Sequence, residues 1–391
     1  MKKLADIQKL RAFAILMVIL GHTGLSFPNA LIHGYTGVSL FFVISGYVVT
    51  RSIIRRLPGT RAALDREHAT FLRDFYLRRV FRILPVATFW VLISIVVVAG
   101  IAMIGEGVVW PLPWTQEVKW LLSGLYNYRF AAASTSGMFG HYWSLAVEMH
   151  FYVLLPLLVL AVRSKKALIG VCAAGVVAVS TVFRAMTPSA AIGFLTHTQA
   201  DALLMGVLIC LLTDADVPQA QAPIAERRIP MWAKNGIMLS LLAALFVLPS
   251  YFDGRWDPIY KYPVFTALAS LIVYLAQRDT GWVLGGMPAL GRLFSYLGDR
   301  SFSLYVSHPI LWVALMPVVM RRLGDTVPAW VTTTGAGIAI QFAVMLLVAL
   351  AVAEASYALF ELPYIDYGKS VIRRLRERGN AAALADAGGH G

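Results

Sequence analysis

A series of about ten apolar blocks, most of them long enough to cross a lipid bilayer, constrains this chain more than any other feature. A helix needs about 17–25 apolar residues to span the hydrocarbon core. We expect spans near residues 12–27, 36–53, 83–104, 142–162, 167–184, 199–213, 236–251, 263–277, 301–320 and 332–359. Backbone exposed to lipid must satisfy its own hydrogen bonds, so each span is predicted to be an α-helix. The sequence therefore predicts an all-α polytopic membrane bundle of about ten transmembrane helices, in contact with membrane lipid.

The composition agrees with a membrane protein and excludes an ordinary soluble enzyme. Hydrophobic residues make up 58% of the 391 residues and charged residues only 14%, where a soluble domain carries roughly 25%. The first block has a basic flank without a small-residue cleavage site after it, so we expect it to remain as an anchor. Cys172 and Cys210 lie inside apolar blocks and are expected to be small core residues, with neither a disulfide nor a metal site.

The distribution of basic residues predicts the orientation of the bundle. Cytoplasmic loops collect Lys and Arg, and with the N-terminus inside, 27 of the 34 basic residues fall on the cytoplasmic side. The segment 51–82 alone holds nine arginines, whereas the pair Arg321–Arg322 opposes the pattern. Both termini are thus predicted to be cytoplasmic. The net charge of +13 reflects this asymmetry, so nucleic acid is not an expected partner.

The chain divides into two predicted parts. Residues 1–368 form the membrane domain, and residues 369–391, basic and then rich in Ala and Gly, form a tail that we expect to be disordered.

Two ionisable residues of the first span stand out, because such groups cost roughly 2.5–3.5 kcal/mol at a helix centre. Arg11 and His22 are close to three helical turns apart, which places them on one face. Arg11 is expected at the cytoplasmic mouth and His22 past the midplane. A snorkelling arginine and a hydrogen-bonded core histidine would explain the same pattern.

Further polar residues are expected at depth in later spans. The fourth span opens with His141, Trp143 and Glu148, and His141 and Glu148 lie nearly on one helical face. A carboxylate there can orient an imidazole, or it can simply face a water-filled crevice. Asp201 is expected at a similar depth, so that it could converge with His22 and Glu148, and His308 is placed nearer the cytoplasm.

Small and basic residues suggest where a ligand could approach. Ser45-Gly46 removes bulk in the middle of the second span, which permits close helix packing or close approach of a ligand, with packing favoured. Arg78, Arg79 and Arg82 cluster at the mouth of the third span. Arginine binds phosphate through two parallel hydrogen bonds, although orientation charge and anionic lipid would explain most of the basic residues nearby.

An ordered set of short motifs resembles the bacterial acyltransferase-3 family of integral membrane O-acyltransferases. The motifs run in the order of that family across about 360 residues, and each alone is weak. They are Arg11 ten residues before His22, Phe41-Phe42 with Ser45-Gly46-Tyr47, Arg79 and Arg82 with Pro85, His141-x-Trp143-Ser144-Leu145 with Glu148, Asp201-Ala202-Leu203-Leu204-x-Gly206, Ser303-Leu304-Tyr305 with His308, and Glu361-x-Pro363.

The resemblance implies transfer of an acyl group, most often acetyl, from cytoplasmic acyl-CoA to a hydroxyl of a glycan such as lipopolysaccharide or exopolysaccharide. It implies His22 as the base, with Arg11 and Glu148 as the other catalytic residues. Donor binding would use Arg78, Arg79, Arg82, Ser45 and Gly46. Acceptor binding would use His141, Trp143, Asp201 and His308. No metal is implied, and the location would be the bacterial cytoplasmic (inner) membrane.

The chain departs from the family in two ways. Only one acid, Glu148, precedes the aromatic pair of the fourth span, where two are common. Many relatives carry an extra hydrolase-like domain, and we expect this chain to act without one. A transporter or flippase with a midmembrane His and carboxylate relay remains an alternative, although no inverted repeat is evident. A lipid-binding scaffold would leave the Arg11 and His22 alignment unexplained. The sequence predicts no oligomeric state.

Overall fold

The computed structural model describes residues 3–22, 34–57, 64–105, 114–133, 139–162, 164–213, 226, 228–252, 257–328, 330–331 and 334–388. These residues form helices and short connections, without a strand among them. The helices of the first half are α1 (Ala5–His22), α2 (Tyr35–Ile54), α3 (Leu64–Met103), α4 (Trp114–Ser123), α5 (Tyr126–Ala133), α6 (Tyr142–Ala161) and α7 (Lys165–Ala178). Those of the second half are α8 (Thr196–Leu212), α9 (Met231–Phe252), α10 (Pro258–Ala276), α11 (Pro288–Asp299), α12 (Ser301–Pro309), α13 (Met316–Leu323), α14 (Gly335–Ser356) and α15 (Leu362–Gly388).

Each of the ten predicted spans coincides with a helix. In the described part of the chain, eight continuous helical segments are long and apolar enough to cross a membrane. Three of them include π-helical turns that border the helices named above: Lys165–Phe183, Ser301–Leu323 and Gly335–Ala381. The other two predicted spans fall on α1, which carries several charges, and on α8, an apolar helix of 17 residues. Residues 23–27 of the first predicted span lie outside the described residues. The prediction of an all-α polytopic membrane protein is confirmed.

Helices α2 and α8 cross at very close range because glycines face each other at the crossing. A Cβ atom at Gly46 would overlap the carbonyl of Leu203, and one at Gly206 would overlap the carbonyl of Val43. Small residues let two helix backbones approach in this way in membrane bundles. This crossing fixes α2, whose other face contributes to the candidate site.

The start of α1 is held by hydrogen bonds to the segment between α10 and α11. The Asp6 carboxylate accepts from the backbone N–H groups of Gly281 and Trp282, both at 2.9 Å. Lys9 Nζ donates to the Val283 carbonyl at 2.7 Å and pairs with Asp6 at 3.0 Å. These contacts fix the height and rotation of α1, and with it the direction of Arg11.

Helix α15 packs antiparallel to α3. Phe360, in the π-helical turn before α15, stacks on Phe89 with ring centroids 3.9 Å apart, and Tyr367 meets Phe81 at 5.5 Å. Further along, Arg376 donates to Asp74 at 2.5 Å. The 40 residues of α3 extend about 60 Å, twice the thickness of the hydrocarbon core of about 30 Å. The N-terminal part of α3 and the basic part of α15 therefore project together beyond the membrane.

The tail differs from the prediction of disorder. Helix α15 continues to Gly388, although residues 369–391 are predicted to be disordered. Ile372 is buried and Arg376 pairs with the buried Asp74, so tertiary contact with α3 stabilises the first half of this segment. Alanine has the highest helix propensity, which favours helix in the second half. The boundary at residue 368 stays a prediction.

Candidate active site

Five helices line an open-mouthed cavity, and the space within it, including open solvent at its mouth, is about 800 Å³. Its polar lining comes from α1, α2, α3, α6 and α12, and an apolar wall comes chiefly from α2. The polar side chains are Arg11, Ser45, Arg79, Arg82, Ser144, Glu148, Tyr152, Ser301 and Tyr305. Of the predicted site residues, the structure thus brings together Arg11, Arg79, Arg82, Ser45 and Glu148.

The cavity arginines are held in place by neighbouring side chains. Arg11 donates to the Ser301 hydroxyl from Nε at 3.1 Å and from Nη2 at 2.9 Å. The Arg79 guanidinium lies over the rings of Tyr152 at 4.9 Å and Phe75 at 5.4 Å. Cation–π contact stabilises a guanidinium without neutralising it, so Arg79 keeps its charge for a ligand.

The cavity carries more positive charge than negative. Glu148 is the acidic residue of its lining and accepts a hydrogen bond from the Ser45 hydroxyl. Behind the wall, the buried Glu361 accepts from Ser303 at 2.7 Å and interacts electrostatically with Arg82 and Arg11. Three guanidinium groups face two carboxylates, and such an excess in a partly desolvated site favours an anionic ligand.

Three histidines meet beside the cavity rather than in its lining. The ring centroids of His22 and His308 are 5.1 Å apart, and those of His141 and His308 are 5.8 Å apart. His308 is completely buried between the other two. The predicted base His22 therefore has imidazole neighbours instead of the expected carboxylates.

Backbone carbonyls determine which nitrogen of two of these rings carries the proton. His22 Nδ1 lies 2.8 Å from the Val18 carbonyl, and His308 Nδ1 lies 2.8 Å from the Tyr305 carbonyl. A carbonyl only accepts, so Nδ1 must donate in the neutral rings and Nε2 holds the lone pair. Pro309 has no N–H, which leaves the Tyr305 carbonyl without its helical donor and open to His308. Both imidazoles thus present Nε2 as a proton acceptor.

Tyr305 and Ser144 stand between the cavity and the histidines. Their hydroxyls hydrogen-bond to each other, and both groups line the cavity. Tyr305 also donates to the His141 carbonyl at 2.8 Å, and its ring centroid lies 5.8 Å from that of His308. A group bound at this end of the cavity would meet the two hydroxyl groups on one side, with the histidines behind them.

Asp201 does not join His22 and Glu148. Arg184 Nη2 donates to both carboxylate oxygens of Asp201 at 2.8 Å, and Thr266 donates to one of them at 3.2 Å. Arg184 and Asp201 are 0% and 1% exposed, so Asp201 completes a buried ion pair. The expected convergence fails because the Asp201 carboxylate is taken up by Arg184, a residue at the end of the fifth predicted span that nothing in the sequence connects with Asp201.

Three more predicted site residues lie outside the cavity lining. Gly46 forms the crossing with α8, as the packing interpretation predicted, and its role in donor binding stays a prediction. Trp143 packs edge-on against Phe194 at 5.3 Å. Arg78 interacts electrostatically with Arg376 and with the cavity residue Arg79.

The structure adds residues that the sequence did not single out. Tyr152, Ser301 and Tyr305 line the cavity, and Glu361 lies close behind it. Tyr305 and Glu361 belong to the short motifs noted above, which was an available signal, whereas nothing in the sequence distinguishes Ser301. Among the described residues no group of three or more His, Cys, Asp or Glu is placed to hold a metal ion.

Comparison with known proteins gives a family match over most of the chain. A family model described as an acyltransferase domain, of the acyltransferase-3 type, matches residues 4–354. A protein of Bacillus subtilis (strain 168), provisionally named peptidoglycan O-acetyltransferase YrhL, is 27% identical over 94% of this chain and 56% of its own length. The peptidoglycan O-acetyltransferase OatA of Listeria monocytogenes is 25% identical over 81% of this chain and 51% of its own length. The chain thus spans about half the length of the curated relatives it matches. No solved structure matches it.

Proposed function

Because this chain belongs to the acyltransferase-3 family, we propose that it transfers an acetyl group from acetyl-CoA to a hydroxyl of a cell-surface glycan. The activity is O-acylation, the donor is an acyl-CoA taken up from the cytoplasm, and the protein resides in the bacterial cytoplasmic membrane.

One observation carries the proposal: Arg11, Arg79 and Arg82 share an apolar-walled cavity with Glu148. Coenzyme A is a polyanion at one end and a long, uncharged pantetheine arm at the other. Arginine forks match phosphate oxygens, and an apolar wall suits the arm. With the phosphates at the arginines and the arm along the apolar wall, the thioester would lie at the inner end of the cavity, near Ser144 and Tyr305.

The transfer itself requires a base and a stabilised oxyanion. The acceptor hydroxyl oxygen attacks the thioester carbonyl while His22 Nε2 takes its proton. The carbonyl oxygen becomes an oxyanion, which the Ser144 hydroxyl would stabilise by turning its single O–H away from its present acceptor, Tyr305 or the His141 carbonyl. The carbon–sulfur bond then breaks, the ester remains on the acceptor, and the imidazolium returns the proton to the CoA thiolate.

Arg11 and Glu148 act in this proposal at the donor. Arg11 supplies positive charge next to the thioester end, and Glu148 orients Arg11 and Arg79 because it interacts electrostatically with both. His141 and His308 lie behind Tyr305, where they would orient His22 or contact the acceptor hydroxyl.

The names of the relatives suggest the first acceptor to examine. Two of them are named as peptidoglycan O-acetyltransferases, so peptidoglycan precedes lipopolysaccharide and exopolysaccharide among the candidates. Identity of 25–27% supports a glycan acceptor as a class.

Mass spectrometry of glycans tests this function directly. Cells that produce the protein should show an acetyl-sized increment on one glycan fraction, released by mild alkali as an ester must be. The increment should be absent from cells lacking the gene and from cells producing His22→Gln at an equal level. Identical acetylation in all three strains would overturn the proposal.

A further inference from the structure

A second group of arginines lies where α15 meets the projecting end of α3, and the candidate site does not use it. Arg376 and Arg73 both pair with the fully buried Asp74, at 2.5 Å and 3.0 Å. Arg56 and Arg78 interact electrostatically with both Asp74 and Arg376. We call Arg56, Arg73, Arg78 and Arg376 around Asp74 the Arg376 patch.

The Arg376 patch has a large excess of positive charge. Four guanidinium groups share one carboxylate, and among the described residues neither Arg56 nor Arg78 forms an ion pair. Arg376 remains 56% exposed at its side chain, and Arg56 is exposed as well. Like charges at this spacing repel one another. Partial desolvation, together with the nearby Arg376 charge, lowers the pKa of Arg56. A bound anion would offset both effects.

The patch is continuous with the cavity. Asp74, Arg78 and Arg82 succeed one another at four-residue intervals on α3, so they follow one helical face over about 12 Å. Arg56 also interacts electrostatically with Arg79, which lines the cavity. A positive path therefore runs from the projecting helix pair into the membrane.

We propose that the Arg376 patch is the subsite for the 3′-phosphate of the acyl donor, beyond the diphosphate that the cavity arginines would bind, and that α15 supplies Arg376 to it. This inference rests on the proposed function, and it adds a helix to the donor site that lies beyond residue 354, where the family match ends. The diphosphate then lies at Arg79 and Arg82, and the pantetheine arm extends from there along the apolar wall of the cavity. Anionic lipid phosphates share this chemistry and are the competing source.

The test measures how affinity depends on the number of ligand phosphates. Binding of coenzyme A, 3′-dephospho-coenzyme A, 4′-phosphopantetheine and pantetheine is measured by titration with the full-length protein in neutral detergent. Wild type should bind more weakly with each phosphate removed. Arg376→Gln should bind coenzyme A about tenfold more weakly, the loss expected for a hydrogen bond to a charged group, while its affinity for pantetheine stays unchanged.

Two further variants separate binding from folding. Arg374→Gln removes the same charge from an exposed position two residues away on α15, which does not share a face with Arg376, and should bind all four ligands like wild type. Arg56→Gln breaks no ion pair and should reproduce the Arg376→Gln pattern. This variant keeps the test valid if loss of the Asp74 partner unfolds α15.

The outcomes distinguish the two proposals. If wild type binds none of the four ligands, the proposed donor and the subsite both fail. If wild type binds the four ligands with different affinities, and both Arg56→Gln and Arg376→Gln show the same differences, only the subsite proposal fails. The lipid alternative is tested in nanodiscs. If the two variants bind coenzyme A like wild type in phosphatidylcholine and differ from wild type only after phosphatidylglycerol is added, the patch binds lipid headgroups. In that case too, only the subsite proposal fails.

Discussion

His22 and His308 are suited to act as bases because the position of the proton on each neutral ring is defined. In His22 and His308 a backbone carbonyl occupies Nδ1, so the acceptor nitrogen Nε2 is available in both neutral rings. The sequence identified both residues as candidates from their depth. It could not show the cluster, because the histidines come from α1, from the N-terminal cap of α6 and from α12, and they meet only in the folded bundle.

His22→Gln is expected to lower the acetyl transfer rate by about 10²–10⁴-fold, the usual contribution of a positioned general base. Gln can hydrogen-bond but cannot accept the proton, so acetyl-CoA binding and the midpoint of thermal unfolding in detergent should stay close to wild type. The rate is measured as coenzyme A released in the presence of acceptor. A near-normal rate would make His22 a packing residue and would move the base to His308, to Glu148, or to His150, which lies two residues after Glu148 on α6.

Asp201 is expected to support the fold rather than the chemistry. Asp201→Asn leaves the Arg184 guanidinium buried without its counter-charge, and breaking one partner of a buried ion pair typically costs about 3–5 kcal/mol. A marked loss of thermal stability is therefore predicted, whereas Asp366→Asn, at an exposed ion pair with Lys369, should unfold like wild type. Unchanged stability of Asp201→Asn with lost transfer would restore the role that the sequence suggested.

Among the elements, the crossing of α2 and α8 determines the shape of the cavity. Gly46→Ala places a methyl group against the Leu203 carbonyl and should destabilise the protein by about 1–3 kcal/mol, as overpacking does. Gly100→Ala is the matched control, because a Cβ at Gly100 meets nothing within 4 Å. Thermal unfolding in detergent measures both. Equal unfolding midpoints for Gly46→Ala and Gly100→Ala would mean that α2 and α8 can move apart without loss of stability.

The connection between α10 and α11 is expected to weaken in acid. Burial opposes ionisation of Glu226, but hydrogen bonds from Thr280, Trp282 and Arg278 outweigh it and hold the pKa of Glu226 below its ordinary value. The stabilisation is therefore complete above the unfolded pKa of about 4.3 and is lost as the pH falls through the lower folded value. Glu226→Gln should lose less stability than wild type when thermal unfolding is compared at pH 7 and pH 3.5. Parallel losses in the two proteins would contradict this.

The helices themselves could be predicted from the sequence, since lipid forces each long apolar block to be helical. The order of the blocks could not predict which helices touch. The antiparallel pairing of α3 with α15, which extends the tail as helix, depends on Phe81, Asp74 and Arg376 meeting their partners across some 300 residues of chain. Likewise the partner of Asp201 became visible only when Arg184 was found inside the bundle.

In the whole molecule, the proposed donor site lies on one side of the membrane and the proposed acyl transfer takes place inside the helix bundle. Segment 51–82, with its nine arginines, and the Arg376 patch mark the predicted cytoplasmic side. Single cysteines at Ala69 and Lys119, both exposed, report the orientation of the protein in each vesicle preparation. An impermeant thiol reagent added to intact cells should label Lys119→Cys and spare Ala69→Cys.

The most direct test of the central claim is a sided transfer assay in proteoliposomes of known orientation. Labelled acetyl-CoA, which does not cross the bilayer, is supplied on one side only, with glycan acceptor on both sides, and ester-linked label on the glycan is measured. We expect label to appear on the glycan only when acetyl-CoA is supplied on the side of Ala69. We expect none with His22→Gln. Incorporation from the side of Lys119, or transfer that does not depend on His22, would contradict this expectation.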